Sequence, residues 1–561
     1  MDAEEPSELS TLVAERLKLP AFQASSSQFM RIETPRQFYG TLKNKIMRAK
    51  HRIFISTLYI GKEERELVGY LRRALAAKPD LQLTILMDAM RATRESPKNV
   101  SSASLVSHLA TMFPDQVDVR LYATPWLRPD SMRAKMVGKR FNEGFGLQHM
   151  KVYGFDDSVI ISGANLSRDY FNNRWDRYML IRNHPMLADY LHALLLLTCR
   201  FSFALEYSGR KELLTAAREQ GEAYDDYSEE ATEMYKSPFQ IRWDGGEGLL
   251  CSEDADGTIN QAYLSPPRST FPSKNWTELA TEKIQKFTDR WCERTRPGAP
   301  RVRRYAPPEN ADATIVPLLQ MGPLQIQQET AIIPIILEYL GALQPHGAPP
   351  AEGTAAPHTT VDITSGYFSL SGEYKSLVLS ERLPRRKTED GRIPVVFRLV
   401  AAAPESNGFY GSKGVTRLIP DAYTYLEKQF WDEVQRRNLH LPPPDSPDAQ
   451  PPVELREWRK YGWTYHQKGI WITPPSYTPD PAPTVTILGS SNYGARSEKF
   501  DLECSLLITT SSPALRSVLR DDLESMRYDA RDLMDAAAFD SKERKVGALT
   551  RFLTRLVKNM L

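Results

Sequence analysis

Apolar residues at Phe38, Leu42 and Ile46 recur at helical spacing through 38–52 and run into an apolar stretch of strand length, Ile53–Ile60. A helical pattern follows at Glu63–Ala77, then strand-like runs at Leu81–Asp88 and Val117–Tyr122. Lys151–Phe155 and Val159–Ser162 are two arms of a hairpin turning at Asp156-Asp157-Ser158, and helical spacing over Leu187–Phe203 closes the unit. This alternation predicts an α/β lobe.

A second unit repeats the order. Ile363-Thr364-Ser365-Gly366-Tyr367 echoes Ile55-Ser56-Thr57-Leu58-Tyr59, and Val395–Ala403 echoes Leu83–Ala89. Strands at Tyr465–Thr473 and Val485–Leu488 come next, as in the first unit. The expected division is an N-terminal extension (1–35), a first lobe (36–205), an inter-lobe insertion (206–310) with a helix at Trp276–Arg294, a second lobe (311–530) and a C-terminal segment (531–561). Three Pro-rich stretches, Gln344–His358, Leu441–Val453 and Pro474–Pro483, read as surface loops.

At 561 residues the chain is too long for one ordinary core, which agrees with two lobes. A hydrophobic share of 41% and a charged share of 25% describe a soluble globular protein. The net charge of +2 gives no global pull toward nucleic acid, and no basic stripe is interleaved with aromatics, so no nucleic-acid partner is expected. Cys199, Cys251, Cys292 and Cys504 are scattered without a C-x-x-C pair, which favours reduced thiols over disulfides or zinc. No run approaches the roughly 18 apolar residues of a spanning helix; Leu191–Thr198 and Ala331–Leu343 are short and read as core helices. The acidic start, Met1-Asp2-Ala3-Glu4-Glu5-Pro6, matches neither a secretory signal nor an Arg-rich transit peptide.

The chemistry is written twice. One constellation reads His149-Met150-Lys151, Asp156, Gly163-Ala164-Asn165, Asp176; the other reads His466-Gln467-Lys468, Gly489-Ser490-Ser491-Asn492, Glu503. In both, the carboxylate follows the asparagine by eleven positions (165 to 176, 492 to 503). Residues i and i+2 of a strand share a face, so each histidine projects with its lysine. Two such half-sites suit one phosphoryl-transfer centre. One imidazole attacks phosphorus, the other protonates the leaving oxygen, and lysines and asparagines (Lys151, Lys468, Asn165, Asn492, with Ser491) hold the phosphate oxygens. Asp176 and Glu503 fit as the carboxylates that fix each imidazole's tautomer. Asp156 is grouped with His149, Lys151, His466 and Lys468 as a catalytic residue, although in the hairpin turn it can also cap backbone amides. Arg94, Arg174 and Arg496 sit beside predicted strand ends and are candidate partners of a glycerol phosphate or a pyrophosphate. There is no metal-ligand spacing, no H-E-x-x-H and no Walker motif; Gly408–Gly414 is glycine-rich but weak as a phosphate loop.

The pattern H-x-K-x-x-x-x-D followed by a Gly-small-Asn turn resembles the phospholipase D superfamily. That resemblance implies two pseudo-twofold-related phospholipase D-like lobes, each a mixed sheet flanked by helices, sharing one interface active site. It also implies catalysis through a phosphohistidine without metal or cofactor. Further strings narrow it: Ser56-Thr57-Leu58-Tyr59-Ile60-Gly61, Asn142-Glu143 before Leu147-Gln148-His149, Asn407-Gly408-Phe409-Tyr410-Gly411 and Gly462-Trp463-Thr464-Tyr465-His466. These are similar to the eukaryotic mitochondrial phosphatidylglycerophosphate synthases. The resemblance implies CDP-diacylglycerol and glycerol-3-phosphate as substrates, His149 as nucleophile, and a peripheral place on the matrix side of the mitochondrial inner membrane. A hydrolytic phosphodiesterase of the same superfamily and a non-catalytic lipid-binding scaffold are the alternatives. One departure stands out: Thr473 occupies the position of the second motif's Asp.

In Ser541–Leu561, the residues Val546, Leu549, Phe552, Leu553, Leu556, Val557 and Met560 fall on one helical face. Lys542, Arg544, Lys545, Arg551, Arg555 and Lys558 cover the other. A basic amphipathic helix of this kind can lie on an anionic membrane surface or pack on the protein's own core.

Overall fold

A computed structural model describes residues 7–96, 98–125, 144, 146–243, 274–300, 303–345, 357–386, 388, 391–444, 449–477 and 481–560. Asn142, Glu143, Cys251 and parts of the three Pro-rich stretches lie outside the described residues.

Two mixed sheets carry the fold. The first has nine strands in the order Phe239–Arg242, Phe203–Tyr207, Val117–Tyr122, Gln82–Asp88, Arg52–Ser56, Val152–Phe155, Ser158–Ser162, Tyr178–Ile181, Phe29–Ile32. The second runs Phe22–Ala24, Ala313–Met321, Leu502–Thr510, Val485–Gly489, Lys468–Thr473, Thr359–Ser365, Val395–Ala402, Val453–Trp458, Asp532–Leu533, with Ile326–Gln327 paired beside Ala313–Met321. Six central strands of each, Val117–Tyr122 to Tyr178–Ile181 in the first sheet and Val453–Trp458 to Leu502–Thr510 in the second, follow one plan. In both, the strand that follows the His-x-Lys pairs antiparallel with the strand ending in the Ser-rich echo, which in turn pairs parallel with the next.

Local chemistry sets the element ends. Thr34 caps the helix Pro35–Arg48, and Phe38, Leu42 and Ile46 form its buried stripe. Apolar residues of the two sheets' facing sides, among them Ile161, Met179, Leu488, Leu502 and Leu506, meet in one core between the lobes. Helices Pro185–Cys199, Lys274–Thr295 and Pro513–Arg527 pack into that shared core. Each sheet's other side is covered by its own helices, giving a separate outer core per lobe.

The segments outside the repeat are woven in rather than appended. Residues 1–35, expected as an extension, contribute the helix Ser7–Leu17 to the second lobe's outer core, one strand to the second sheet and one to the first. The insertion 206–310 likewise supplies the edge strand Phe239–Arg242, and its helix Lys274–Thr295 joins the inter-lobe core. Phe203, read as the end of a helix, begins a strand, because the helix stops at Cys199.

Candidate active site

Each histidine-bearing strand reaches across to the other lobe. The His149 amide donates to the Leu502 carbonyl at 2.9 Å, and Leu502 N–H returns to Leu147 at 2.8 Å. The His466 amide donates to Trp175 at 2.8 Å, and Thr464 N–H bonds Asn173 at 3.0 Å. Arg174–Trp175 and Thr464–Tyr465 form a small parallel ladder of their own.

This backbone crossing decides which carboxylate serves which histidine. His149 Nδ1 donates to Glu503 Oε1 at 2.9 Å, and His466 Nδ1 donates to Asp176 Oδ2 at 2.6 Å. Both pairs are buried and both span the lobes. Each imidazole therefore holds its proton on Nδ1 and keeps Nε2 as the reactive nitrogen. Glu503 is held in turn by the hydroxyls of Ser490 and Ser497, and Asp176 by the Arg177 amide at 2.8 Å.

The lysines come with their histidines as the strand period requires. Lys151 Nζ bonds the His149 carbonyl at 2.6 Å. Lys468 Nζ bonds the His466 carbonyl and lies 2.9 Å from His466 Nδ1. Gly163 makes room for this approach: a Cβ there would lie 2.7 Å from Asp176 Oδ1 and 3.1 Å from Lys468 Nζ.

Burial governs the protonation states. It lowers Lys151 to about 7 and Lys468 to about 8, against the attraction of the site's carboxylates. Burial and the neighbouring ammonium groups push both histidines well below the ordinary imidazole range, so both are neutral near pH 7. Burial raises Asp176 to about 6 and moves Glu503 upward as well.

The other sequence-derived candidates divide. Asn165 and Asn492 are buried, and their Oδ1 atoms find no partner among the described residues. Asn165 Nδ2 donates to Tyr170 Oη at 3.2 Å, which itself lies 3.2 Å from His466 Nε2. Ser491 is committed elsewhere: its hydroxyl accepts from Tyr493 N–H at 3.1 Å and bonds the buried carboxyl of Glu329. Arg174 and Arg496 are among the charges acting most on the histidines, and Arg94 is not. It follows the short helix Ala89–Ala92, half-buried.

Asp156 does not reach the site. It is five residues along an extended strand from Lys151, roughly 16 Å at about 3.3 Å per residue. Its carboxylate accepts from the amides of Lys50, His51 and Arg52 at 2.8–3.1 Å, and its φ of 51° makes the hairpin turn. Its work is to fix the entry of strand Arg52–Ser56. Thr473 at the matching position pairs in register with Thr360 and leads into a longer loop that needs no such turn.

Sequence reasoning missed an aromatic wall around His466. Tyr170 and Tyr367 stand edge-on to the imidazole at 5.1 and 5.3 Å, and Tyr423 stacks on Tyr367. The echo of Tyr59 and Tyr367 between lobes was the available signal; Tyr170 and Tyr423 lie on helices with no motif to mark them.

One cluster has metal-ligand types: His149, Asp501 and Glu503 bring their ligand atoms within 4.8 Å of one another. Protein donors already take those oxygens. Asp501 accepts from Leu147 N–H and Arg496 Nε, and Glu503 accepts from His149, Ser490 and Ser497. The set reads as a closed hydrogen-bond network.

Residues 42–194 match the family model described as cardiolipin synthase, PLD-like domain. The chain is 31% identical over 556 residues to the CDP-diacylglycerol–glycerol-3-phosphate 3-phosphatidyltransferase of Schizosaccharomyces pombe, covering 97% of this chain and 96% of that one. It is 32% identical over 549 residues to the Homo sapiens mitochondrial protein of that name, covering 96% and 84%. The chain belongs to this phosphatidyltransferase family. Its fold is also that of a phosphatidylserine synthase from Haemophilus influenzae, with a TM-score of 0.60 over 100% of both chains at 16% identity. Transfer by double displacement uses a nucleophile and a separate proton donor about one phosphorus, and the crossed pairs bring together one imidazole from each lobe.

Proposed function

We propose that this chain transfers the phosphatidyl group of CDP-diacylglycerol to the sn-1 hydroxyl of glycerol-3-phosphate, releasing CMP and giving phosphatidylglycerophosphate. The observation that carries the reading is the pair of cross-lobe contacts, His149–Glu503 and His466–Asp176, each with its lysine at hand. His149 Nε2 attacks the diacylglycerol-linked phosphorus. The N–P bond forms as the P–O bond to CMP breaks, and His466 Nε2–H protonates the departing oxygen. A bound pyrophosphate brings the negative charge that raises His466 into its acid form. Lys151, Lys468, Asn165 and Asn492 offset charge on the phosphoryl oxygens. In the second half-reaction His466 takes the proton of the acceptor hydroxyl, whose oxygen displaces His149. Two in-line displacements give net retention at phosphorus.

In this reading the enzyme works on the matrix-side surface of the mitochondrial inner membrane. Several relatives carry "mitochondrial" in their names, and among the described residues no helix is long and apolar enough to cross a membrane. The C-terminal helix Ala548–Val557 supports surface attachment. It packs through the buried Thr550 and Thr554, while Leu549, Phe552 and Leu556 are 67%, 58% and 66% exposed along one stripe. Leu553 and Val557, read with that face, are half-buried, and Arg544, read with the basic face, is paired internally with Glu457.

The test follows CMP release from labelled CDP-diacylglycerol with and without glycerol-3-phosphate. Acceptor-dependent CMP and labelled phosphatidylglycerophosphate are expected. Release matched by phosphatidic acid alone would make the protein a hydrolase, and no release would leave a binding protein.

A further inference from the structure

The two half-sites carry one ion pair with its charges exchanged. Counting from each motif asparagine, the fourth residue on is Asp169 in the first lobe and Arg496 in the second; the ninth is Arg174 and Asp501. Both couples are joined: Arg174 Nη2–Asp169 Oδ2 at 3.5 Å, and Arg496 Nε–Asp501 Oδ2 at 2.9 Å. The ninth position is the inner one, two residues before the carboxylate that holds the histidine. Arg174, with its side chain 11% exposed, therefore stands beside His466, while its partner Asp169 is 61% exposed. Beside His149 stands Asp501, 0% exposed. The pseudo-twofold axis relates a cation to an anion.

Arg174 is also held ready for a ligand. Its Nε donates to Thr464 Oγ1 at 3.0 Å and its guanidinium lies over the Tyr170 ring at 4.8 Å. Neither Nη group makes a hydrogen bond among the described residues, although the side chain is nearly buried. The Gly408 backbone closes on it: a Cβ there would lie 3.1 Å from Nη2 and 2.8 Å from the Tyr367 hydroxyl. Asp501, by contrast, has both oxygens taken.

We infer that Arg174 builds a subsite for the second phosphate carried by both water-soluble groups, the CMP phosphate that leaves and the phosphate of the glycerol-3-phosphate that enters. The inference rests on the phosphatidyltransferase reading and deepens it. Leaving and entering groups occupy the same side of phosphorus in the two half-reactions, opposite His149 and next to His466. On the other side Arg496 is already neutralised by buried Asp501, whereas the counter-ion of Arg174 is solvent-exposed and more distant, so the second phosphate is placed at Arg174 and the diacylglycerol arm on the Asp501 side. Arg174 is thus a specificity residue, selecting a phosphorylated acceptor over a neutral polyol.

The test compares glycerol-3-phosphate with glycerol as acceptors for the full-length wild type, Arg174→Gln and Arg174→Lys. Loss of two charge-assisted hydrogen bonds is expected to cut the preference for glycerol-3-phosphate roughly ten- to a hundredfold in Arg174→Gln. The acceptor-specific change should fall mainly in KM for glycerol-3-phosphate; the half-reaction that releases CMP, common to both acceptors, should slow as well, so the ratio between acceptors is the readout. Arg174→Lys should restore part of the preference. Transfer by Arg174→Gln with the wild-type preference would overturn the subsite. So would equal loss toward both acceptors in Arg174→Gln and Arg174→Lys, the mark of a merely structural arginine. A wild type that uses neither acceptor would instead overturn the transferase reading beneath it.

Discussion

The amide of His466 donates to the carbonyl of Trp175 at 2.8 Å, one residue short of the carboxylate that orients the His466 ring. His149 stands in the same relation to Leu502 and Glu503. Main chain and side chain thus cross between lobes together, and the backbone register positions each carboxylate to within a hydrogen bond of its imidazole. A crossed site is complete only when both lobes are in place.

Glu503→Gln and Asp176→Asn keep the shape of each partner and remove its charge. Each is expected to slow phosphatidyl transfer by about 10²–10⁴-fold, with secondary structure unchanged by circular dichroism. Rapid-quench trapping of labelled phosphatidyl-enzyme should show slower formation in Glu503→Gln, since in the proposed mechanism that carboxylate serves the nucleophile. Near wild-type turnover in either variant would remove the carboxylates from the mechanism.

His149→Ala is expected to abolish the covalent lipid adduct and all acceptor-dependent CMP release. His466→Ala loses acid–base assistance, roughly 10²–10⁴-fold, and retains some capacity for adduct formation. Radiolabelled lipid trapped on His149→Ala would assign the nucleophile to the other lobe.

The pH profile of kcat/KM is expected to be bell-shaped. Asp176, raised to about 6 by burial, gains a proton as pH falls through that value and ceases to stabilise a charged His466, so activity falls on the acid side. Lys151 and Lys468, lowered to about 7 and about 8, lose their protons as pH rises, so phosphate binding weakens on the alkaline side. Initial rates at subsaturating lipid check this. A flat profile between about pH 5 and about 9 would contradict these protonation states.

Arg177 is a buried clamp between the lobes. Its Nε donates to Asp522 at 2.6 Å, its Nη groups bond the Ile487 carbonyl and Thr486 hydroxyl, and it lies over the Trp471 ring at 4.2 Å. Arg177→Met removes the shorter of the two ion pairs of buried Asp522 and leaves it only Arg31 Nε at 3.7 Å, at an expected cost of about 3 kcal/mol in denaturant unfolding. Because Arg177 adjoins Asp176, activity should fall as well. Arg177→Met with Asp522→Leu should recover much of the stability.

Replacing Leu549, Phe552 and Leu556 with serine removes the exposed apolar stripe without touching the buried threonine face. Sedimentation with cardiolipin-containing vesicles should show binding weakened by roughly tenfold or more. Turnover on detergent-dispersed substrate should be retained. Undiminished vesicle binding would assign attachment to another surface.

Much of this molecule was legible in the chain because its signals are local. Strand Val117–Tyr122 falls where alternation puts it, and the His-x-Lys pairs point together because strand periodicity leaves no other choice. The assignment of Asp176 and Glu503 as imidazole partners was legible from the shared spacing; the exchange between lobes was not, since no local pattern encodes which lobe a carboxylate meets. Strand Ala313–Met321 went unnoticed because it is buried along its whole length and shows no alternation. Asp156 was misleading for the opposite reason: a recurrent motif position can be held by backbone geometry alone, and its three amide bonds lie at the far end of the strand.

The arm that pairs Phe22–Ala24 with Ala313–Ile315 and Phe29–Ile32 with Tyr178–Ile181 has only a short link between its two strands. Such a link cannot lengthen, so the two sheets are tethered at their neighbouring edges and cannot swing apart as clamshell halves. Admission of a two-tailed lipid and release of product must therefore come from loops and side chains at the rim. The first strand of the arm also waits on residues almost three hundred positions later for its partner, so the segment that emerges first cannot finish docking until the second lobe begins to form.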